Sequence, residues 1–238
     1  MRVSSVAAVE RNLYGNSDLL AEAMASKISG LLAGAIAARG QAVLAVSGGS
    51  TPKKFFDAIS HTDIDWSRVT ILLVDERIVA PTHERANARL VRDNLLRNRA
   101  AKANLIPYVV DAGEPEDCAS ASGQFFSDAI AHIDALVLGM GTDGHTASFF
   151  PGGDNLASAT KRNGKHTVLA MRASGAGEPR LTLTLPVILS AHYIAIHIEG
   201  DEKMGVFDEA LSGDDEAAMP VRSVLHNASK PLNLFWAP

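Results

Sequence analysis

Three short runs consist almost wholly of apolar residues and stop abruptly at glycine or charge. They are Ala42 to Ser47, Val69 to Val74 and Ala135 to Leu138. Such a run, bounded by turn signals, reads as a strand buried on both faces, which is the pattern of a parallel sheet. Parallel strands need long crossover connections, usually helices. Ser17 to Arg39 supplies one, with Leu19, Leu20, Ala23, Ile28, Leu31, Leu32 and Ile36 at helical spacing, Ser17 as its cap and Gly40 as its stop. Residues 87–96, 116–132 and 204–211 predict further helices, the second with Phe125, Phe126, Ala129 and Ile130 as its apolar face. Residues 105–110, 168–171, 181–185, 193–198 and 232–236 predict more strands. The alternation predicts an α/β fold: a mostly parallel, twisted, Rossmann-like sheet with helices on both faces.

A chain of 238 residues is long enough for one large α/β domain or two small ones. The Gly-rich stretches 152–165 and 173–179 read as loops rather than linkers, because strand patterns resume directly after them. Residues 1–238 are therefore expected to form one domain. The net charge of −5 and the lack of a dense Lys/Arg stripe argue against a nucleic-acid partner. A single cysteine, Cys118, gives no internal disulfide. The early apolar run is broken by Glu10 and Arg11, which makes a poor signal peptide, and the run from Leu31 to Ala38 is too short to span a bilayer. A cytoplasmic protein without a membrane partner, monomeric or weakly homo-oligomeric, is expected.

In parallel sheets ligands bind beyond the carboxyl ends of the strands, so the chemistry is sought where the strong strands stop. The first strand runs into Ser47-Gly48-Gly49-Ser50-Thr51-Pro52. Glycines let the backbone turn its N–H groups toward an anion, hydroxyls add donors, and proline suits the first turn of a following helix. The spacing is not that of a Walker A loop. The second strand ends in Asp75-Glu76-Arg77, three charges that need a site or each other. Asp75 could position a hydroxyl or a water, and Arg77 could grip a phosphate. A solvated ion pair explains the triplet equally well.

The third strand ends in Gly139-Met-Gly141-Thr-Asp143-Gly144-His145. This matches G-x-G-x-x-G, but a dinucleotide site is excluded. Pro151 and Gly152 cut off the helix it should open, and no acidic residue stands at the ribose position. What remains is Asp143 and His145 on a tight glycine loop. A neutral imidazole takes a proton from water near neutral pH, and a carboxylate orients it. No His-Glu-x-x-His and no G-x-S-x-G is present, so no metal and no serine nucleophile is expected. Arg180 and Lys203 fall at loop–strand boundaries where substrate contacts are commonly placed.

The ordered set Ser-Gly-Gly-Ser-Thr-Pro, Asp-Glu-Arg, Gly-Met-Gly-Thr-Asp-Gly-His-Thr-Ala-Ser-Phe-Phe-Pro, Arg-Leu-Thr-Leu-Thr-Leu-Pro and Gly-Asp-Glu-Lys resembles the 6-phosphogluconolactonase family. The resemblance implies hydrolysis of 6-phosphoglucono-δ-lactone in the oxidative pentose phosphate pathway, a small-molecule sugar phosphate as partner, and no cofactor. It makes His145 the base that activates water, with Asp75 and Asp143 as active-site carboxylates. It gives Ser47, Gly48, Gly49, Ser50, Thr51, Arg77, Gly141, Arg180 and Lys203 contacts to phosphate or sugar oxygens. The backbone N–H groups of residues 139–144 are candidate oxyanion donors. The alternative is the related glucosamine-6-phosphate deaminase/isomerase type, which typically has a Glu where this chain has Phe150. A non-catalytic sugar-phosphate sensor is a third reading, and the presence of both His145 and Asp75 argues against it.

Overall fold

The computed structural model describes residues 7–111, 113–126 and 132–238. Its main sheet has seven strands: β1 (Val9–Leu13), β2 (Ala42–Val46), β3 (Val69–Leu73), β5 (Asn104–Leu105), β6 (Ala135–Leu138), β9 (Tyr193–Glu199) and β10 (Leu232–Ala237). They lie in the order β1-β10-β9-β6-β2-β3-β5, and every pairing is parallel. Every residue of β2 and β6 is buried, so the sheet is covered on both faces, as their unbroken apolar sequence requires. The chain leaves β2 toward β3 and β5 and returns on the other side of β2 through β6 and β9. The switch in direction thus lies between β2 and β6, and their carboxyl ends open the crevice where a doubly wound fold binds its ligand.

The first helix, α1 (Ser17–Arg39), is long and apolar enough to cross a membrane by length and composition. Here it is a core helix. Leu20, Met24, Ile28 and Leu32 are fully buried, and it packs on α2 (Lys53–Ser60), β2 and β10. Its cap is Asn16 rather than Ser17: the Asn16 side chain accepts from Leu19 N at 2.9 Å, whereas the Ser17 hydroxyl donates to Glu199 Oε2 at 2.7 Å. Leu19 lies in the first turn and is half exposed, so it is not part of the core face. Gly40 ends the helix in the left-handed region at φ 79°, as glycine allows.

Three strands lie outside the main sheet. Residues β4 (Asp75–Arg77), β7 (Val168–Met171) and β8 (Arg180–Leu183) form a second, antiparallel sheet in the order β4-β8-β7. This departs from the single sheet expected. The chain changes sheets at Val74, whose N–H still donates to Val46 O while its carbonyl already accepts Leu183 N. The strand expected at 181–185 ends at Leu183, and Leu185 opens a short helix, α6 (Leu185–Ser190), with proline in its first turn. Residues 105–110 form only the two-residue β5. Helix α4 (Pro115–Phe125) leaves Phe125 59% exposed while Phe126 is buried; Ala129 and Ile130 lie outside the described residues. The remaining helices are α3 (Asn87–Asn94), α5 (Leu156–Ala159), α7 (Asp201–Ser212) and α8 (Val221–Asn227).

Stability should follow this layering. Leu44, fully buried at the centre of β2, is expected to cost about 2–5 kcal/mol when cut to alanine. Leu13, 56% exposed on the edge strand, should cost less than about 0.5 kcal/mol. Urea unfolding of the two variants measures the contrast.

Candidate active site

The loops after β2 and β6 and the start of β4 enclose a cleft of ≈ 290 Å³. It gathers Ser47, Gly48, Gly49, Ser50, Thr51, Asp75, Arg77, Gly141, His145, Arg180 and Lys203, every site residue expected from the sequence except Asp143. Asp143 stands just behind, hydrogen-bonded to His145.

The dyad is built on glycine. Asp143 Oδ1 lies 2.5 Å from His145 Nδ1 and also accepts the His145 backbone N–H at 3.1 Å. A Cβ on Gly141 would stand 2.2 Å from His145 Nδ1 and 2.6 Å from Asp143 Oδ1, so only glycine leaves room for the pair. The hydrogen bond from His145 holds the Asp143 carboxyl below the usual range, against the opposing effect of partial burial. An ionised carboxylate only accepts, so Nδ1 carries the proton, and in the neutral imidazole the lone pair is on Nε2. Gly144, at φ 75°, turns the loop, and its carbonyl accepts Val221 N from α8 at 2.9 Å. Phe150 stacks on the imidazole at 4.5 Å between ring centroids, and Arg180 lies over its ring at 5.5 Å.

The oxyanion expectation narrows. Gly139 N donates to Ser47 Oγ, Gly141 N to His145 O, and Gly144 N to Gly141 O. Those three amides are already used. The Asp143 N–H faces its own carboxylate, so of this loop's amides those of Met140 and Thr142 are left without an internal acceptor.

Asp75 is 6% exposed, and its carboxylate is held rather than solvated. Ser148 Oγ donates to Oδ2 at 2.6 Å, Arg180 Nη1 lies 3.8 Å from the same oxygen, and Asn87 Nδ2 reaches Oδ1 at 3.4 Å. Its neighbour Glu76 points the other way. That carboxylate accepts the backbone N–H groups of Arg77, Asn87 and Ala88, each at 2.7 Å, and so fastens β4 to the start of α3. Burial pushes the Glu76 carboxyl up despite those three donors. Arg77 donates through Nη1 to the carbonyl of Arg85, and Arg180 donates through Nε and Nη2 to that of Ala176. Burial pulls the Arg180 guanidinium down, opposed by Asp75.

Gly49 adopts φ 95°, which turns the first loop as glycine permits. Four residues that line or support the site were missed: Asn87, Ser148, His197 and Glu76. Ser148 and Glu76 sit inside quoted motifs, but nothing in the sequence says which atoms they bond. Among the described residues, no group of three or more His, Cys, Asp or Glu side chains is placed to hold a metal ion.

Residues 15–236 match the family described as Glucosamine-6-phosphate isomerases/6-phosphogluconolactonase. The chain belongs to this family. It is 49% identical to a 6-phosphogluconolactonase of Rhizobium meliloti over 227 residues, covering 95% of this chain and 98% of that one. It is 40% identical to that of Pseudomonas aeruginosa, covering 98% and 96%. The crystal structure of a 6-phosphogluconolactonase from Shewanella baltica superposes with a TM-score of 0.93 at 38% identity, covering 97% and 98%.

Gly141→Ala should part Nδ1 from Asp143 with the fold intact. The expected sign is loss of the downfield His145 Nδ1 proton resonance in NMR, as in Asp143→Asn, with an unchanged far-ultraviolet circular dichroism spectrum.

Proposed function

We propose that this chain hydrolyses 6-phosphoglucono-δ-lactone to 6-phosphogluconate, the lactone-opening step of the oxidative pentose phosphate pathway, as a cytoplasmic enzyme. The observation that carries this reading is the partner of His145. Its ring meets one carboxylate, Asp143, on Nδ1 and an apolar ring, Phe150, on its face. That is the equipment for drawing one proton from water. A ring-opening deaminase needs a further acid–base group beside the histidine, and Phe150 has none to offer.

In the mechanism we infer, water attacks the lactone carbonyl carbon while His145 Nε2 takes its proton. Asp143 stabilises the imidazolium. The tetrahedral oxyanion collapses, the bond from the carbonyl carbon to the ring oxygen breaks, and the imidazolium returns the proton to that oxygen. The amides of Met140 and Thr142 are the donors left for the oxyanion. Ser47 to Thr51 and the start of α2 face the phosphate, with Arg77, Arg180 and Lys203 as neighbouring cations. Anchoring the remote phosphate positions the carbonyl over the base. The family match across 15–236 supports treating residues 1–238 as one unit.

The test is the loss of lactone generated in situ, compared with the spontaneous rate. Wild type should accelerate it. His145→Ala should lose about 10²–10⁴-fold, the usual range for a general base, while still binding 6-phosphogluconate in calorimetry. A wild-type rate equal to the spontaneous one would overturn the lactonase reading and make glucosamine-6-phosphate deamination the next assay.

A further inference from the structure

Among the described residues, four buried side-chain atoms make no hydrogen bond: Arg77 Nε, Asn87 Oδ1, His197 Nδ1 and Glu178 Oε2, the last of which still pairs with Arg85 Nη2 at 3.0 Å. Three of them belong to residues that line the cleft. Buried polar groups are nearly always bonded, so exceptions gathered around one cleft mark it as a place completed by a ligand.

Asn87 is the member that touches both halves of the site. It is 2% exposed. Its Nδ2 donates to the Asp75 carbonyl at 2.9 Å and reaches Asp75 Oδ1 at 3.4 Å. On the other side its carboxamide fills the space a side chain at position 48 would need: a Cβ there would lie 1.9 Å from Asn87 Oδ1. The carboxamide is thus wedged between the glycine loop and the catalytic strand β4. The two Asp75 oxygens differ as a result. Oδ2 is committed to Ser148 at 2.6 Å with Arg180 nearby, whereas Oδ1 has only the long contact to Asn87 and keeps acceptor capacity.

We propose that Asn87 is a positioning residue for Asp75. It fixes the carboxylate against the glycine loop so that Oδ1 accepts a hydroxyl of a polyhydroxylated, phosphorylated lactone. The inference rests on the function proposed above. The backbone of Asn87 is held separately, by Glu76 Oε1 at 2.7 Å, so removing the side chain leaves the start of α3 in place.

The test compares wild type, Asn87→Ala, Asp75→Ala and the double variant of the intact protein. Three quantities are measured: lactone hydrolysis above the spontaneous rate, and affinities for 6-phosphogluconate and for inorganic phosphate by calorimetry. Asn87→Ala is expected to lower kcat and 6-phosphogluconate affinity by about tenfold each while changing inorganic phosphate affinity less than about twofold. In the Asp75→Ala background its removal should change neither quantity beyond about twofold, because residues acting as one unit are non-additive. Full additive loss in that background overturns the proposal, as does an equal loss of inorganic phosphate affinity. Unchanged kcat and affinity with a lowered melting temperature would make Asn87 merely structural, and overturns it too. If Asn87→Ala does not fold, Asn87→Leu, which is close in shape, uncharged and without a donor, takes its place with the same expectations. A wild type that fails to accelerate hydrolysis sinks the lactonase reading alone; the two binding measurements still decide the role of Asn87.

Discussion

The backbone of Gly139 is the joint on which the site is assembled. Its N–H donates to Ser47 Oγ at 3.0 Å, and its carbonyl accepts Thr146 Oγ1 at 2.8 Å. Ser47 follows the last residue of β2 and Thr146 follows His145, so this one residue ties the two loops across the switch between β2 and β6. The Ser47 N–H is in turn held by Val137 O at 3.0 Å, a continuation of the sheet ladder. Rigid parallel strands therefore transmit their spacing directly into the distance between anion loop and base. Catalysis by positioning depends on such fixed distances. Ser47 itself is more a strut than a ligand: one lone pair is spent on Gly139, and its hydroxyl proton remains for an anion.

Adjacent buried carboxylates are costly, and the structure solves the problem at Asp75 and Glu76 by sending them in opposite directions. Alternation along β4 puts Asp75 toward the cleft and Glu76 toward the N-terminus of α3. Glu76 meets three backbone donors and the positive end of a helix. Asp75 meets a hydroxyl, a carboxamide and a guanidinium. The departure of β4 into a second, antiparallel sheet follows from the same need. In the main sheet these charges would face apolar cover on both sides; paired with β8 they lie beside Arg180, with Asp75 opposite Thr182 and Arg77 opposite Arg180 itself.

Much of this was legible because buried parallel strands write an unambiguous signal. The runs at β2, β3 and β6 were found from apolarity alone, and the site followed from asking what stands at their ends. The errors have physical causes. The edge strand β1 reads Val-Glu-Arg-Asn-Leu, half polar because only part of it is covered, and carries no strand signature. The segment Leu181 to Leu185 alternates Leu and Thr without a break, so its strand-like pattern runs past the point where strand yields to helix at Leu185. Charged strands such as β4 do not look like strands at all. Asn87 and Ser148 were invisible for another reason: their roles lie in contacts to Asp75 across 12 and 73 residues of chain, which no local pattern encodes.

The face-on contact of Phe150 with His145 has a consequence beyond excluding a second acid. The aromatic ring dries one side of the imidazole while Asp143 holds the far nitrogen, so the ring keeps a single orientation and a single tautomer. Arg180 lies over Phe150 and beside Asp75 at once, which links the apolar wall to the carboxylate that Asn87 supports. In the proposed mechanism a cation placed there draws an anionic substrate in without approaching His145, whose proton affinity must stay free for water. Separation of these duties lets a mildly acidic protein bind an anion by local devices alone. In the proposed mechanism the glycine loop and cations serve the phosphate, Asp75 serves a hydroxyl, and His145 with Asp143 serves the attacking water. That division explains why the three strand ends carry different residue types rather than one repeated motif.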